Sequence, residues 1–356
     1  MSSPSEVSVI IVSTNCRKLL LQTLESLYQH DHACEFETIL VDNASSDGTI
    51  RDVERYFPEV QTLPLTQNIG FGAANNLGYA RAKGDFLLFL NPDTIVLPNT
   101  IANMLPMLRE HRKLGCVGPR HLNGDGSLQR SMNAFPTLYN DFLELSGLAN
   151  FTCIQRHLEP NFPWFEDHDR TRLTGWVNGA CMLFRREAFE DAGGFDESYF
   201  VYVEEVDLCH TLRLQGWDVL FTPDAEIIHL EGKTLDSKPE FRVRLRFWGH
   251  CHYYDKFHAG WKALTFRGLI SIVAGVRVLG LVLLGVSSAL GYHPSQRAWE
   301  LVMLDHGRGT SIFGCAWIWT QIMFHADIAD SNSRKRCLNL MPKQLPRTIY
   351  SKDICL

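Results

Sequence analysis

Glu204-Glu205-Val206-Asp207 sets three carboxylates within four consecutive positions. Acids that close repel one another, so at least one holds its proton more tightly unless a cation or a helix N-terminus compensates. A carboxylate beside a hydroxyl can remove its proton, and the cluster therefore reads as a general base with neighbours. It reads equally as the plain acidic first turn of a helix. Two further acids, Asp42 and Asp93, follow the apolar runs Thr38-Ile39-Leu40-Val41 and Phe86-Leu87-Leu88-Phe89-Leu90. There they suit a nucleotide and its metal ion, or they simply cap turns. His229 follows Ile227-Ile228 and is either a ligand or a structural histidine.

Positioning these groups requires a scaffold that brings strand ends together. Residues 7–12 (VSVIIV), 38–41, 60–65 and 85–90 have the β-branched or continuous apolar character of buried parallel strands. Helical patterns fall between them at 17–29, 49–56 and 73–83. This alternation predicts an α/β fold with a doubly wound, mostly parallel, Rossmann-like sheet, whose ligands bind beyond the carboxyl ends of the strands. Further on, residues 181–184 lead an apolar strand out of a small-residue loop, and 199–203 (YFVYV) predict a short aromatic strand or extended piece delivering the acidic cluster. A helix should then run to Gly216, followed by strand pattern at 217–223 and 227–229.

The chain has 356 residues, 45% of them hydrophobic and 21% charged, which excludes a disordered polymer and a small disulfide-stapled scaffold. Its ten cysteines are scattered without a CxxC pair, so no metal or disulfide framework is read from them. The start, MSSPSEVSVIIV, lacks signal-peptide character, and a reducing cytoplasm is the expected compartment. The net charge of −6 conceals a division. Residues 1–234 carry 18 basic and 32 acidic side chains, residues 235–356 carry 16 and 8.

Seven ordered segments sharpen the reading: VSVIIVSTN, TILVDNASSDGT, QNIGFGAANN, GDFLLFLNPDT, WVNGACMLFRREAF, GGFDESYFVYVEEVDLCHTLR and GWDVLFTPDAEIIHLEGKT. Over residues 7–234 the chain resembles family 2 glycosyltransferases of the GT-A fold, and among them the bacterial rhamnosyltransferase-like enzymes of cell-surface polysaccharide synthesis. The resemblance implies an inverting transferase that moves a sugar from a nucleotide-sugar donor, best dTDP-L-rhamnose, to a glycan hydroxyl. By the same resemblance Ser13, Asn15 and Asp42 line the base and ribose, and Asn68 and Gly70 pass close to the donor. Asn91-Pro92-Asp93 resembles the family's D-x-D metal motif with its first acid replaced by Asn, so Asp93 binds Mg²⁺ or Mn²⁺ with His229 as a second ligand. Glu205 matches the general base, where Asp is more usual. Glu204 and Asp207 orient the acceptor or hold the helix start, and Trp176, Asn178 and Gly179 fall on the acceptor side. UDP- or GDP-sugar donors, or an inactive nucleotide-sugar-binding protein, are the alternatives. A dinucleotide oxidoreductase is disfavoured because Thr14-Asn15-Cys16-Arg17 after the first strand lacks the glycine turn. A sugar-nucleotide pyrophosphorylase is disfavoured by the missing Gly-rich, Arg-containing loop at the same place.

Residues 235–330 form a second, basic and aromatic region expected to be helical. Cations and aromatics interleave over 235–267, which suits a headgroup zone better than nucleic acid. Residues 268–290 hold a single charge, Arg277, in a stretch long enough to span a bilayer. A spanning helix, an interfacial helix and a buried helix compete; membrane association without a firm span is expected, because apolar residues surround the helix. An anionic membrane at the inner face of the cell suits a polyprenyl-diphosphate-linked acceptor. A second contact helix is expected at 311–324, and 331–356 as a loosely ordered end. Homo-oligomerisation is left open, and no nucleic-acid partner is expected.

Overall fold

Val7–Ser13 is buried along its whole length because it lies between two parallel neighbours. A computed structural model describes residues 5–30, 35–146, 168–230 and 239–289. The expected helix at 311–324 and the end at 331–356 lie outside the described residues. The first half alternates β1 (Val7–Ser13), α1 (Arg17–His30), β2 (Phe36–Asp42), α2 (Thr49–Tyr56), β3 (Gln61–Pro64), α3 (Phe71–Tyr79), β4 (Phe86–Leu90), β5 (Thr94–Val96) and α4 (Thr100–Glu110). There follow β6 (Leu114–Leu122), β7 (Leu128–Gln129), β8 (Met132–Asn133), α5 (Leu138–Ser146), β9 (Arg172–Leu173), β10 (Trp176–Val177), β11 (Cys181–Arg185) and α6 (Arg186–Asp191). The last described elements are α7 (Glu204–Leu214), β12 (Asp218–His229), α8 (Pro239–Phe257) and α9 (Gly260–Ala289).

The principal sheet runs β3-β2-β1-β4-β11-β6-β12-β5. Its β3-β2-β1-β4 half is parallel, as the apolar runs predict, and β6 and β12 form a second parallel pair. Between the two halves β11 is antiparallel to both β4 and β6. Alternate residues separate the two cores. Val7, Val9 and Ile11 face Leu20, Leu24 and Leu27 of α1, while Ile10, Leu87 and Phe89 join the cluster containing Phe189 of α6 and Leu208 and Leu212 of α7. Cys116, Cys181 and Cys209 are free and buried in these cores, as small apolar residues.

One expected strand is absent. Residues 199–203 form a bent connection instead, with Tyr202 and Val203 at φ 73° and 75°. The aromatic run is there for packing: Tyr199 is buried in a third cluster with Val203, Val206, Tyr253, Tyr254 and Phe266. That cluster spans the place where the sequence changes sign of charge. Many aromatics expected at a membrane interface, Phe247, Tyr253, Tyr254 and Phe266, are core residues.

The C-terminal helices are also tied to α7 by polar contacts. Lys256 Nζ donates to Asp207 Oδ1 and Asp196 Oδ2, each at 2.8 Å. Tyr253 Oη meets His210 Nδ1 at 2.7 Å, and Tyr254 Oη donates to Asp141 Oδ2 at 2.7 Å. Burial opposes ionisation of Asp196, but the His252 ring at 3.6 Å and the hydrogen bond from Lys256 outweigh it and hold the carboxyl well below its usual 3.8. Lys256→Met should cost about 1–3 kcal/mol in urea unfolding at neutral pH, because buried Asp207 loses its cation while half-exposed Lys256 limits the effect. The lysine favours the ionised acids, so the difference between wild type and variant should narrow as falling pH protonates Asp196 and Asp207.

Candidate active site

Three parallel strands end side by side, and the chain turns at each end build one face of a cleft. Ser13 is opposite Asp42 in the β1–β2 register. The Ser13 side chain is fully buried against Cys16 Sγ at 3.2 Å, and its carbonyl accepts the Asn43 N–H at 2.7 Å. Asn15, in the left-handed region at φ 50°, accepts the Ser46 N–H on Oδ1 at 2.8 Å. These residues hold the loop after β2 in place. Asp42 Oδ2 accepts the Ser45 N–H at 3.1 Å, while its buried Oδ1 has no partner among the described residues. Burial pushes the Asp42 carboxyl above its usual range, against the hydrogen bonds from Ser45. Asn43 organises the next wall: its Nδ2 donates to Asn68 Oδ1 and Gly70 O, and its Oδ1 accepts the Ile69 N–H. Gly70 is at φ +95°, and an added Cβ would lie 2.7 Å from Phe200 O, so only glycine fits.

Beyond β4, Asn91 holds its N–H on Ala180 O at 2.9 Å, and its buried Oδ1 has no partner among the described residues. Asp93 is buried, and its Oδ1 lies 3.4 Å from His229 Nε2. The tautomer of His229 follows from Gln129. That amide donates from Nε2 to Asn123 Oδ1 and His229 O, which leaves Oε1 to accept from His229 Nδ1 at 2.9 Å. Nε2 is therefore the ring nitrogen presented to the Asp93 carboxylate. An imidazole nitrogen and a carboxylate facing each other are donors of the kind a divalent cation takes. Among the described residues no group of three or more His, Cys, Asp or Glu side chains is disposed to hold a metal.

The acidic cluster opens α7 on the strained turn at Tyr202 and Val203. A β-branched residue at positive φ is costly and persists where its surroundings impose it. Glu204 is buried with Oε2 unpartnered among the described residues, and Glu205 is half-buried. Burial raises both carboxyls above their usual range. The charge of Glu205 raises Glu204 further, whereas backbone N–H groups and Arg246 favour the ionised form of Glu205. Both carboxyls are thus raised, Glu204 the more strongly. Asp207 is committed elsewhere, accepting from Tyr199 Oη at 3.0 Å and from Lys256. Gly179 lies against Glu205, an added Cβ falling 3.5 Å from Glu205 Cβ. Since Ala180 also holds Asn91, the 178–180 turn joins Glu205 to the Asn91-Pro92-Asp93 segment. Asn178 shapes that turn by accepting the Ala180 N–H on Oδ1 at 2.9 Å. Trp176 is half-buried between two clusters, with its Nε1–H on Ala134 O at 2.8 Å.

The family model for glycosyl transferase family 2 matches residues 8–193, more than half of the chain. The chain belongs to this family. It is 29% identical over 246 residues to an N-acetylglucosaminyl-diphospho-decaprenol L-rhamnosyltransferase of Mycobacterium tuberculosis, covering 64% of this chain and 78% of that one. It is 27% identical over 231 residues to an Escherichia coli K12 rhamnosyltransferase, covering 63% and 83%. Among solved structures, the mannosyltransferase PcManGT of Pyrobaculum calidifontis, in complex with GDP-Man and Mn²⁺, aligns with a TM-score of 0.51 at 18% identity, covering 96% of this chain and 89% of that one. The protein is a glycosyltransferase of the GT-A fold, with rhamnosyltransferase-like relatives.

In this glycosyltransferase the strand ends bring together Asp42, Asn68, Gly70, Asn91, Asp93 and His229, while the turn before α7 brings Glu205 to Gly179. Sequence reading gave no role to Asn43, Gln129 or Lys256. Asn43 lay inside the TILVDNASSDGT segment, so its type was visible but not its cage. Gln129 acts on a residue 100 positions away, and no local pattern announces that. Gln129→Leu removes the acceptor that fixes the His229 tautomer. Mn²⁺ affinity, measured by calorimetry with a nucleoside diphosphate present, should fall about 10–100-fold while thermal unfolding confirms a folded protein.

Proposed function

We propose that this glycosyltransferase moves a sugar, best L-rhamnose from dTDP-L-rhamnose, to a hydroxyl of a polyprenyl-diphosphate-linked glycan at the inner face of the cell membrane, with inversion at the anomeric carbon. The observation that carries the chemistry is the junction at Gly179 and Ala180, where an ionisable, half-buried Glu205 adjoins the segment bearing Asp93. The donor sugar and acceptor class rest on the likeness to the mycobacterial relative.

In this reading Asp42 and the Asn68–Gly70 wall hold the nucleotide, with the unpartnered Asp42 Oδ1 as an acceptor for a base or ribose donor. Asp93 and His229 would hold Mg²⁺ or Mn²⁺, which supplies charge neutralisation for the diphosphate when bound. Glu205 accepts the proton of the acceptor hydroxyl as that oxygen bonds to the anomeric carbon. The bond from that carbon to the diphosphate oxygen breaks, and the nucleoside diphosphate leaves with the electron pair. The raised Glu204 carboxyl opposes a second negative charge beside the base. Asn178 and Gly179 form the acceptor-side wall, with Trp176 behind them.

Membrane association rests on α9. Gly260–Leu284 is long and apolar enough to cross a membrane by length and composition. Its apolar ring divides into two faces: Ala263, Phe266, Ile270, Ala274 and Leu281 are buried with Arg277, whereas Trp261 (63% exposed), Leu264, Ile272 (64%), Val276, Leu279 (58%) and Val286 face outward. Those exposed positions recur at helical spacing, and nothing among the described residues covers them. A helix held to the protein by one face, with Arg277 on that face, suits lying in the headgroup zone better than crossing it.

Nucleotide release is the direct test, run over dTDP-rhamnose, UDP- and GDP-sugars with and without Mn²⁺ or Mg²⁺. Wild type should release dTDP in a metal-dependent way, and Glu205→Gln should lower kcat about 10²–10⁴-fold with donor affinity kept. Near-wild-type turnover in that variant would remove Glu205 from the role of base, and absent turnover with any donor would leave a nucleotide-sugar-binding protein. For the membrane, wild type should float with anionic phosphatidylglycerol vesicles, and a variant with Ser at 272, 276 and 279 should stay with the soluble fraction.

A further inference from the structure

Arg246 stands on α8 at the edge of the strained turn that presents the base. Its guanidinium lies 5.3 Å from the centroid of the Tyr202 ring, three residues before Glu205. It is exposed, yet its charge is felt by Glu205. Among the described residues no carboxylate lies within ion-pair distance of it. The approach of α8 to this turn is close and fixed: an added Cβ on Gly249, one turn further along, would lie 3.0 Å from both Tyr202 O and Val203 Cγ2. His250, the other titratable neighbour on this helix, is pushed down to about 4 by burial and by Arg246, so it adds no second positive charge at neutral pH.

An arginine stacked on a ring keeps its N–H edge available, and that planar fork matches two oxygens of a phosphate. A diphosphate ester has two places to bind in such an enzyme, on the donor or on the acceptor. In the reading above Asp93, between β4 and β5, and His229, at the end of β12, mark the donor side. Arg246 instead adjoins the base, in the helix that leads into the exposed apolar face of α9.

We propose that Arg246 binds a phosphate oxygen of the acceptor's diphosphate, and thereby selects diphosphate-linked acceptors and sets the reach of their reactive hydroxyl to Glu205. The inference rests on the polyprenyl-diphosphate reading above, and it adds a residue that recognises that class. Arg246 is a positioning and specificity residue in this account; the proton still passes to Glu205.

The test compares two synthetic acceptors that share one N-acetylglucosamine: one carried on a short prenyl diphosphate, the other on a neutral alkyl aglycone. Wild type should favour the diphosphate acceptor in kcat/KM. In Arg246→Ala that preference should fall about ten-fold or more, with the KM for the nucleotide sugar as in wild type. Arg246→Lys, which keeps the charge but not the fork, should recover part of it. A purely structural role would lower kcat/KM for both acceptors in parallel and leave the preference intact, which overturns the proposal. A rise in the donor KM with the acceptor preference unchanged would assign Arg246 to the donor diphosphate, and also overturns it. Should wild type itself show no preference for the diphosphate acceptor, the acceptor class in the functional reading is what fails.

Discussion

Three carboxylates at one helix start can share a buried turn only if each is given a different fate, and much of this structure serves that division. Burial and the charge of Glu205 raise the Glu204 carboxyl well above its usual range. Asp207 accepts from Tyr199 and from the Lys256 cation. Glu205 is half-buried, with the Arg246 charge favouring its ionised form. The helix N-terminus favours one negative charge there, not three. The turn that aims the helix has two consecutive non-glycine residues at positive φ, and such strain needs a surface pressed against it. That surface is α8, whose Gly249 meets Tyr202 and Val203. The C-terminal helices are therefore part of what makes Glu205 distinct from its neighbours.

The opposite wall obeys another rule. Parallel strands ending together expose loop backbone and unpaired acceptors at one edge, and native structures leave buried polar atoms unpaired chiefly where a ligand completes them. Asp42 Oδ1 and Asn91 Oδ1 are both of this kind. The Asp93–His229 contact is similar in logic, since Gln129 holds His229 Nδ1 and leaves Nε2 facing a carboxylate. Each arrangement costs stability in the free protein and is regained when charge of the right sign arrives.

How much of this the sequence disclosed depends on how local the cause is. The strands β1, β2 and β4 were legible because a strand buried on both faces is apolar nearly throughout, as VSVIIV, TILV and FLLFL are apart from Ser8 and Thr38. Helix α7 was legible from its acids and the Gly216 stop. Residues 199–203 were misread because an aromatic run has the composition of a strand, while what decides its shape is the packing of Tyr199 on α8. The same non-locality hid Gln129 and Lys256, whose partners lie about 50 or 100 residues away. It also disguised Tyr253, Tyr254 and Phe266, which look like interfacial aromatics in sequence and stack as core in three dimensions.

The division of charge near residue 234 takes a different meaning from these contacts. A basic segment following an acidic domain invites an external anionic surface as its explanation. Yet Lys256 is spent on Asp196 and Asp207 of the acidic half, and Arg267 on Asp255 within its own half. Part of the complementarity is internal, and it fastens the two halves along α7. What faces outward on α9 is chiefly aliphatic, so attraction to lipid would scale with buried apolar area more than with salt-sensitive charge. Arg246, like Lys262 over Trp261, is held by a ring instead of an acid. A cation positioned without an ion pair takes its counter-charge from a neighbouring acid, a ligand or solvent, and in the proposed reading the ligand is the acceptor's diphosphate.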